Sequence, residues 1–149
     1  MLYTVNVYYI TISSYLNSLN FLRSLLSTQE KTQSEKFVTS RLSDRYVVTR
    51  AVLRSILAKY LGTEPQHIEF TRNSYGKPFV KGANIEFNMS HSYNSAYYAI
   101  TSDFSVGIDV EFYNKEKNIF NIAKSVFSND ELNFFLNLPT LQRQEFFFN

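Results

Sequence analysis

Hydrophobic and polar positions along this chain change period three times, and each change predicts a different kind of element. The opening ten residues, through Ile10, alternate like a strand, whose successive side chains face opposite sides. Residues 14–37 turn to helical spacing, with Tyr15, Leu16, Leu19, Phe21, Leu22, Leu25 and Leu26 as the apolar set, then a polar turn and Phe37. Residues 41–61 carry the strongest helix pattern. Leu42, Tyr46, Val47, Leu53, Ile56, Leu57, Tyr60 and Leu61 recur every three to four positions, and Gly62 supplies a C-terminal stop. From residue 66 the period drops to two, predicting short strands at 67–70, 79–80, 85–88, 96–101 and 105–111, with turn chemistry over 73–78. The last third is helical again. Ser128 and Glu131 have capping-box spacing, and Phe134, Phe135, Leu136 and Leu138 form the stripe expected to be buried.

Composition narrows what these elements can build. A chain of 149 residues suffices for one domain with a real core, or for two small halves sharing one. The absence of cysteine excludes disulfides and thiolate metal sites, so any metal falls to oxygen ligands or to His67 and His91. The apolar opening lacks a basic leader and a small-residue cleavage site, and it is too short to span a bilayer. A soluble, cytoplasmic protein with no membrane role is expected. Charge is uneven: residues 1–81 carry 11 Lys and Arg against 5 Asp and Glu, whereas residues 82–149 carry 4 against 8. A nucleic-acid binder would show one dominant sign, so no nucleic-acid partner is expected. The split suits a site where cations hold phosphates and carboxylates hold a metal, although chance variation of surface charge explains it equally well.

The candidate chemistry centres on Val106-Gly-Ile-Asp-Val-Glu111. Asp109 and Glu111 stand two residues apart in an apolar, β-branched run, which places them on one face of the predicted strand. Close to a core, neither stays ionised without a positive partner, and a magnesium ion holding a phosphate is the simplest one. The competing reading is an edge strand with both acids facing water. Arg41, Arg45, Arg50, Arg54 and Lys59 line the other side of the long helix, a pattern read first as a solvated face. Three aromatics, Phe146, Phe147 and Phe148, stand near the last residue, where chains usually turn polar. They either dock on this chain or pack against further sequence, and the second is favoured.

Three short signals stand in order: Tyr75-Gly-Lys-Pro78, Phe87-Asn-Met-Ser-His-Ser92 and Val106-Gly-Ile-Asp-Val-Glu111, followed by Phe127-Ser-Asn-Asp-Glu131. Each alone is weak, but in this order and spacing the chain from about residue 27 onward resembles the 4′-phosphopantetheinyl transferases of the surfactin-synthetase-activating type. The resemblance implies an α+β fold, a long helix packed on a small antiparallel sheet, with the opening helices of a second, pseudo-symmetric half. It divides the chain into a first half at 1–111 and the start of a second at 112–149. It also implies transfer of phosphopantetheine from coenzyme A to a serine of an acyl or peptidyl carrier protein, with Mg2+. Carried over residue by residue, Asp109 and Glu111 are the metal ligands and catalytic acids. Lys77, Ser90, His91, Arg41 and Arg45 contact coenzyme A, chiefly its phosphates.

One departure stands out. Members of that family continue with a Trp-x-x-Lys-Glu-Ala helix after the aromatic stretch, and this sequence has no Trp. A truncated transferase of impaired activity is therefore expected. The alternative is a non-catalytic coenzyme A-binding or assembly module completed by another chain, or a homo-oligomer formed through exposed C-terminal aromatics.

Overall fold

A computed structural model describes residues 3–112 and 119–148, apart from the Leu141 side chain. It divides into two compact units, Met1–Val110 and Glu111–Asn149. Both helices and antiparallel strands are present, so the fold class is α+β, as the resemblance implies. None of the described helices is long and apolar enough to cross a membrane.

The first unit is built around one helix. Strand β1 (Asn6–Thr11) leads through a 3-10 turn at Ile12–Ser18 into α1 (Leu19–Ser24), α2 (Thr28–Glu35) and the long α3 (Ser40–Leu61). The helical spacing expected over 14–37 appears as three short pieces, and α2 occupies the stretch after Leu26 where a polar turn is expected. The break falls at Ser27, whose hydroxyl caps α2 in a box with Glu30, an arrangement that needs non-helical backbone at the capping residue. Helix α3 matches its expected span, and Gly62 ends it in the left-handed conformation at φ +62°, where a side chain would be strained. A second 3-10 turn at Pro65–His67 replaces the start of the strand expected at 67–70, because Pro65 favours a turn start and withholds an amide from any ladder. The antiparallel pair β2 (Phe70–Arg72) and β3 (Pro78–Val80) follows.

Strands β4 (Glu86–Ser92) and β5 (Ser95–Thr101) form a hairpin, and β1 adds to β5, giving an antiparallel sheet in the order β1-β5-β4. One sheet face carries Ile10, Phe87, Ala96, Tyr98 and Ile100, packed in one cluster with Val47, Val48, Ala51, Leu53 and Leu57 of α3. The Tyr98 hydroxyl donates to the Thr49 carbonyl at 3.1 Å, so the ring's one polar atom is satisfied inside the core. Burial pushes the Tyr98 phenol well above its ordinary pKa.

The arginines of α3 correct the solvated-face reading. Arg54 is only 2% exposed. Its Nε donates to Glu30, and its Nη1 donates to the carbonyls of Pro65 at 2.6 Å and Ile68 at 3.1 Å. Arg50 meets the other Glu30 oxygen at 3.0 Å, and both guanidiniums lie over the Phe70 ring. The pattern misled because arginine at helical spacing marks a polar face without saying what covers it.

In the second unit, α4 (Ile119–Val126), α5 (Asn129–Asn137) and α6 (Thr140–Phe148) bury Ile119, Ala123 and Phe135. The Ser128–Glu131 capping box forms as expected. Phe134 does not join the buried stripe and is 56% exposed; Leu132 packs on the cluster instead. The terminal aromatics dock on the chain itself, the less favoured of the two expectations. Phe146, Phe147 and Phe148 are half-buried and pack within their own unit, with the Phe127 and Phe146 rings 5.8 Å apart.

Removing the Glu30 charge leaves Arg54 buried without its counter-ion, so Glu30→Gln is expected to lower unfolding free energy by roughly 3–5 kcal/mol. Burial alone would raise the Glu30 pKa. The hydrogen bond from Arg54 and the charges of Arg50 and Arg54 outweigh it and hold the carboxyl below its ordinary 4.5. That contribution is complete above pH 4.5 and is lost as pH falls through the depressed value. Urea unfolding from neutral pH into the acid range checks both points: the variant should lose less stability on acidification than the unaltered chain. Equal acid slopes would contradict the pairing.

Candidate functional site

Strand β4 distributes the candidate residues between its two sides. Phe87, Met89 and His91 stand opposite Ile100, Tyr98 and Ala96, on the side that packs toward α3. Glu86, Asn88 and Ser90 therefore point the other way, by the two-residue period of a strand. The hairpin turn after them is firmly seated. Asn94 Oδ1 accepts from the Ser13 amide at 2.9 Å, its Nδ2 donates to Ser13 Oγ at 2.9 Å, and its carbonyl accepts from the Ile12 amide at 2.8 Å. Tyr93 occupies this turn at φ +53°, unusual for a residue with a side chain.

On the polar side of β4 lies the segment carrying the acidic motif. It is extended, with Val106, Ile108 and Val110 half-buried and Gly107, Asp109 and Glu111 exposed. The alternation is as expected, but two corrections follow. No strand ladder forms over 105–111, because side chains of β4 capture the segment's amides instead. Asn88 Oδ1 accepts from the Ile108 amide at 3.2 Å, and Ser90 Oγ accepts from the Val110 amide at 3.1 Å. Nor do the acids approach the core: both face solvent, as in the competing edge-strand reading.

Ser90 and Asp109 are brought together directly, the Ser90 hydroxyl donating to Asp109 Oδ1 at 2.7 Å. Lys77, expected to face a phosphate, instead donates to Glu86 Oε2 at 3.1 Å, Ser105 Oγ at 3.2 Å and the Val106 carbonyl at 3.0 Å. Its turn is ordered by Asn73, whose Oδ1 accepts from the Tyr75 and Lys77 amides at 3.0 Å each.

On the other side of β4, His91 feels the charge of Arg45 from α3. His91 keeps access to solvent near the end of β4, yet partial desolvation first, and Arg45 second, lower the pKa of its imidazole. Arg41 and Arg45 line a cavity of about 420 Å3 with Ile12, Leu16, Asp44 and Tyr93. The Arg45 Nε is buried without a hydrogen-bond partner among the described residues. Ser90 and His91, adjacent in sequence, thus belong to different clusters. One is acidic, holding Asp109; the other is basic, with Arg41, Arg45 and His91.

The donor chemistry suits magnesium. Asp109 and Glu111 offer hard carboxylate oxygens, and that ion commonly takes only one or two of them, completing its shell with water and phosphate. Among the described residues no group of three or more His, Asp or Glu is gathered, so no closed metal cage is present. Two further residues shape this side of β4: Asn88, within the Phe87–Ser92 motif but without an expected role, and Glu86, just outside it. Their signal was the polar series at 86, 88 and 90, alternating with the apolar 87 and 89.

Residues 13–105 match the family model described as 4′-phosphopantetheinyl transferase, N-terminal. The 4′-phosphopantetheinyl transferase HetI of Nostoc sp. is 32% identical over 148 residues, covering 97% of this chain and 62% of the relative. The 4′-phosphopantetheinyl transferase gsp of Aneurinibacillus migulanus is 36% identical over 92 residues, covering 62% of this chain and 38% of the relative. This chain thus spans less than two thirds of either relative. Among solved structures, a holo-(acyl-carrier-protein) synthase from Bacillus anthracis in complex with CoA (3′,5′-ADP) matches with a TM-score of 0.50 at 20% identity. The match covers 64% of this chain and 91% of that one, a likeness of fold.

The basic cluster makes its own prediction. NMR titration should find the His91 imidazole below 6.5, and Arg45→Gln should raise that pKa without restoring the ordinary value, since burial is the larger cause. An unchanged titration in the variant would show that the two groups do not interact.

Proposed function

Because the chain belongs to the 4′-phosphopantetheinyl transferase family, we propose that it moves the phosphopantetheine arm of coenzyme A onto a serine of an acyl or peptidyl carrier protein, as a member of the surfactin-synthetase-activating subtype. The observation that carries this reading is the division of its site residues between the two sides of β4. Coenzyme A bears two separate anionic groups, a diphosphate and a ribose 3′-phosphate, and an acidic cluster beside a basic one accommodates both. Asp109 and Glu111 hold Mg2+ at the diphosphate, and Ser90 orients the Asp109 carboxylate. Magnesium, when bound, offsets the charge that builds on the diphosphate oxygens.

Arg45, with Arg41 beside it, takes the other phosphate, where a guanidinium donates two parallel hydrogen bonds. His91 joins them by protonating. Its pKa is depressed in the free protein, and a phosphate dianion nearby favours the imidazolium, so anion binding takes up a proton and strengthens as pH falls toward the His91 pKa. In the transfer, the carrier serine oxygen forms a bond to the phosphorus bearing the pantetheine arm. The bond from that phosphorus to the bridging oxygen breaks, adenosine 3′,5′-bisphosphate leaves, and the serine proton is released. The lack of cysteine accords with a reducing, cytoplasmic setting.

Incubation with coenzyme A, magnesium and an apo carrier protein, followed by mass spectrometry of the carrier, should show addition of the phosphopantetheine arm. A carrier of unchanged mass, with no calorimetric binding of coenzyme A, would refute the reading; binding without transfer would identify a coenzyme A-binding module. Asp109→Ala should abolish the magnesium-dependent part of coenzyme A binding and leave the magnesium-independent part in place. Equal loss of both would place Asp109 outside a metal site.

A further inference from the structure

We propose that Lys77 is a positioning residue: by clamping Ser105 and Val106 to Glu86 it fixes where the acidic segment starts along β4, and so where Asp109 stands. The inference rests on the metal role proposed for Asp109, but its geometry is independent of any ligand. The Lys77 ammonium can donate three hydrogen bonds, and it has three acceptors within 3.2 Å: the Glu86 carboxylate, the Ser105 hydroxyl and the Val106 carbonyl. Its donors are committed to protein, and the acceptors belong to two different elements, the first residue of β4 and the start of the acidic segment.

From that anchor the segment advances in step with the strand. Lys77 joins Glu86 to Ser105 and Val106, Asn88 takes the Ile108 amide, and Ser90 takes the Val110 amide while donating to Asp109. A backbone ladder would set this register by itself. Here side chains set it, each with rotamers of its own, so the register depends on its end being pinned. The face of the segment bearing Asp109 reverses with a slip of one residue. A single exposed ion pair of this kind adds little stability, since solvent screens it. Its three-way geometry is what matters.

The test separates positioning from direct phosphate contact. Amide hydrogen exchange, which needs no ligand, should speed up at Ile108 and Val110 in Lys77→Met by roughly tenfold, the worth of one charged hydrogen bond. Lys77→Arg, which keeps the charge and several donors, should recover part of that protection. In calorimetry with coenzyme A, Lys77→Met should raise the magnesium concentration needed for half-maximal binding by about the same factor and leave magnesium-free binding unchanged. In an Asp109→Ala background the Lys77 substitution should then have no further effect. Unchanged exchange at Ile108 and Val110 overturns the proposal outright. Equal losses of coenzyme A affinity with and without magnesium, or additive losses in the double variant, overturn it in favour of direct phosphate contact. Faster exchange in a chain that binds no coenzyme A at all upholds the clamp and refutes the functional reading of the site.

Discussion

A carboxylate taken out of water must be matched by positive charge, and the first unit is organised around one such match. Glu30 closes the capping box that starts α2, and it receives Arg50 and Arg54 from α3. Arg54 then reaches past it to the carbonyls of Pro65 and Ile68, where the chain leaves α3 for β2. Three stretches of chain are therefore tied at one point, with the ring of Phe70 beneath both guanidiniums. A buried ion pair adds little net stability compared with a well-packed apolar substitute, but breaking half of it is costly. The arrangement therefore specifies where α2 and the β2–β3 pair sit against α3.

With α3 placed, the sheet follows. Its inner face packs on the helix, the Tyr98 hydroxyl reaches the Thr49 carbonyl, and β4 is left as an edge strand whose residues alternate between the helix and the acidic segment. That alternation is the device that sorts the chemistry. His91 turns toward the arginine of α3, whereas Ser90, one residue earlier, turns toward the acidic segment. An unpaired edge normally invites another strand. Here polar side chains of β4 take up amides of the neighbouring segment, leaving it extended without a regular ladder.

Much of this was legible in the chain. The three-to-four spacing of residues 41–61 and the stop at Gly62 gave α3, because a long amphipathic period has few competing explanations. The alternation in 106–110 likewise survives as alternation of exposure. What the pattern could not say is which side is buried or what completes the hydrogen bonds. The strand expected at 105–111 forms no ladder for that reason, since a ladder is a property of two segments and the spacing within one does not set it. Arg50 and Arg54 read as a solvated face from sequence because their partner, Glu30, lies on a different helix. Helix α2 starts at the capping pair Ser27 and Glu30, after the last apolar position of the repeat, and has no apolar stripe by which periodicity could reveal it. For the site, the motifs named Asp109, Ser90, His91 and Arg45 individually; their separation into two clusters needed the strand's orientation.

The proposed function requires one coenzyme A molecule to be held from two sides of β4. A crystal structure of the chain grown with coenzyme A and magnesium tests it most directly. The expected result is the diphosphate and a metal ion beside Asp109, with the ribose phosphate against Arg45 and His91. Both phosphate groups on the same side of the strand, or a ligand that leaves the Arg45 guanidinium unengaged, would contradict it.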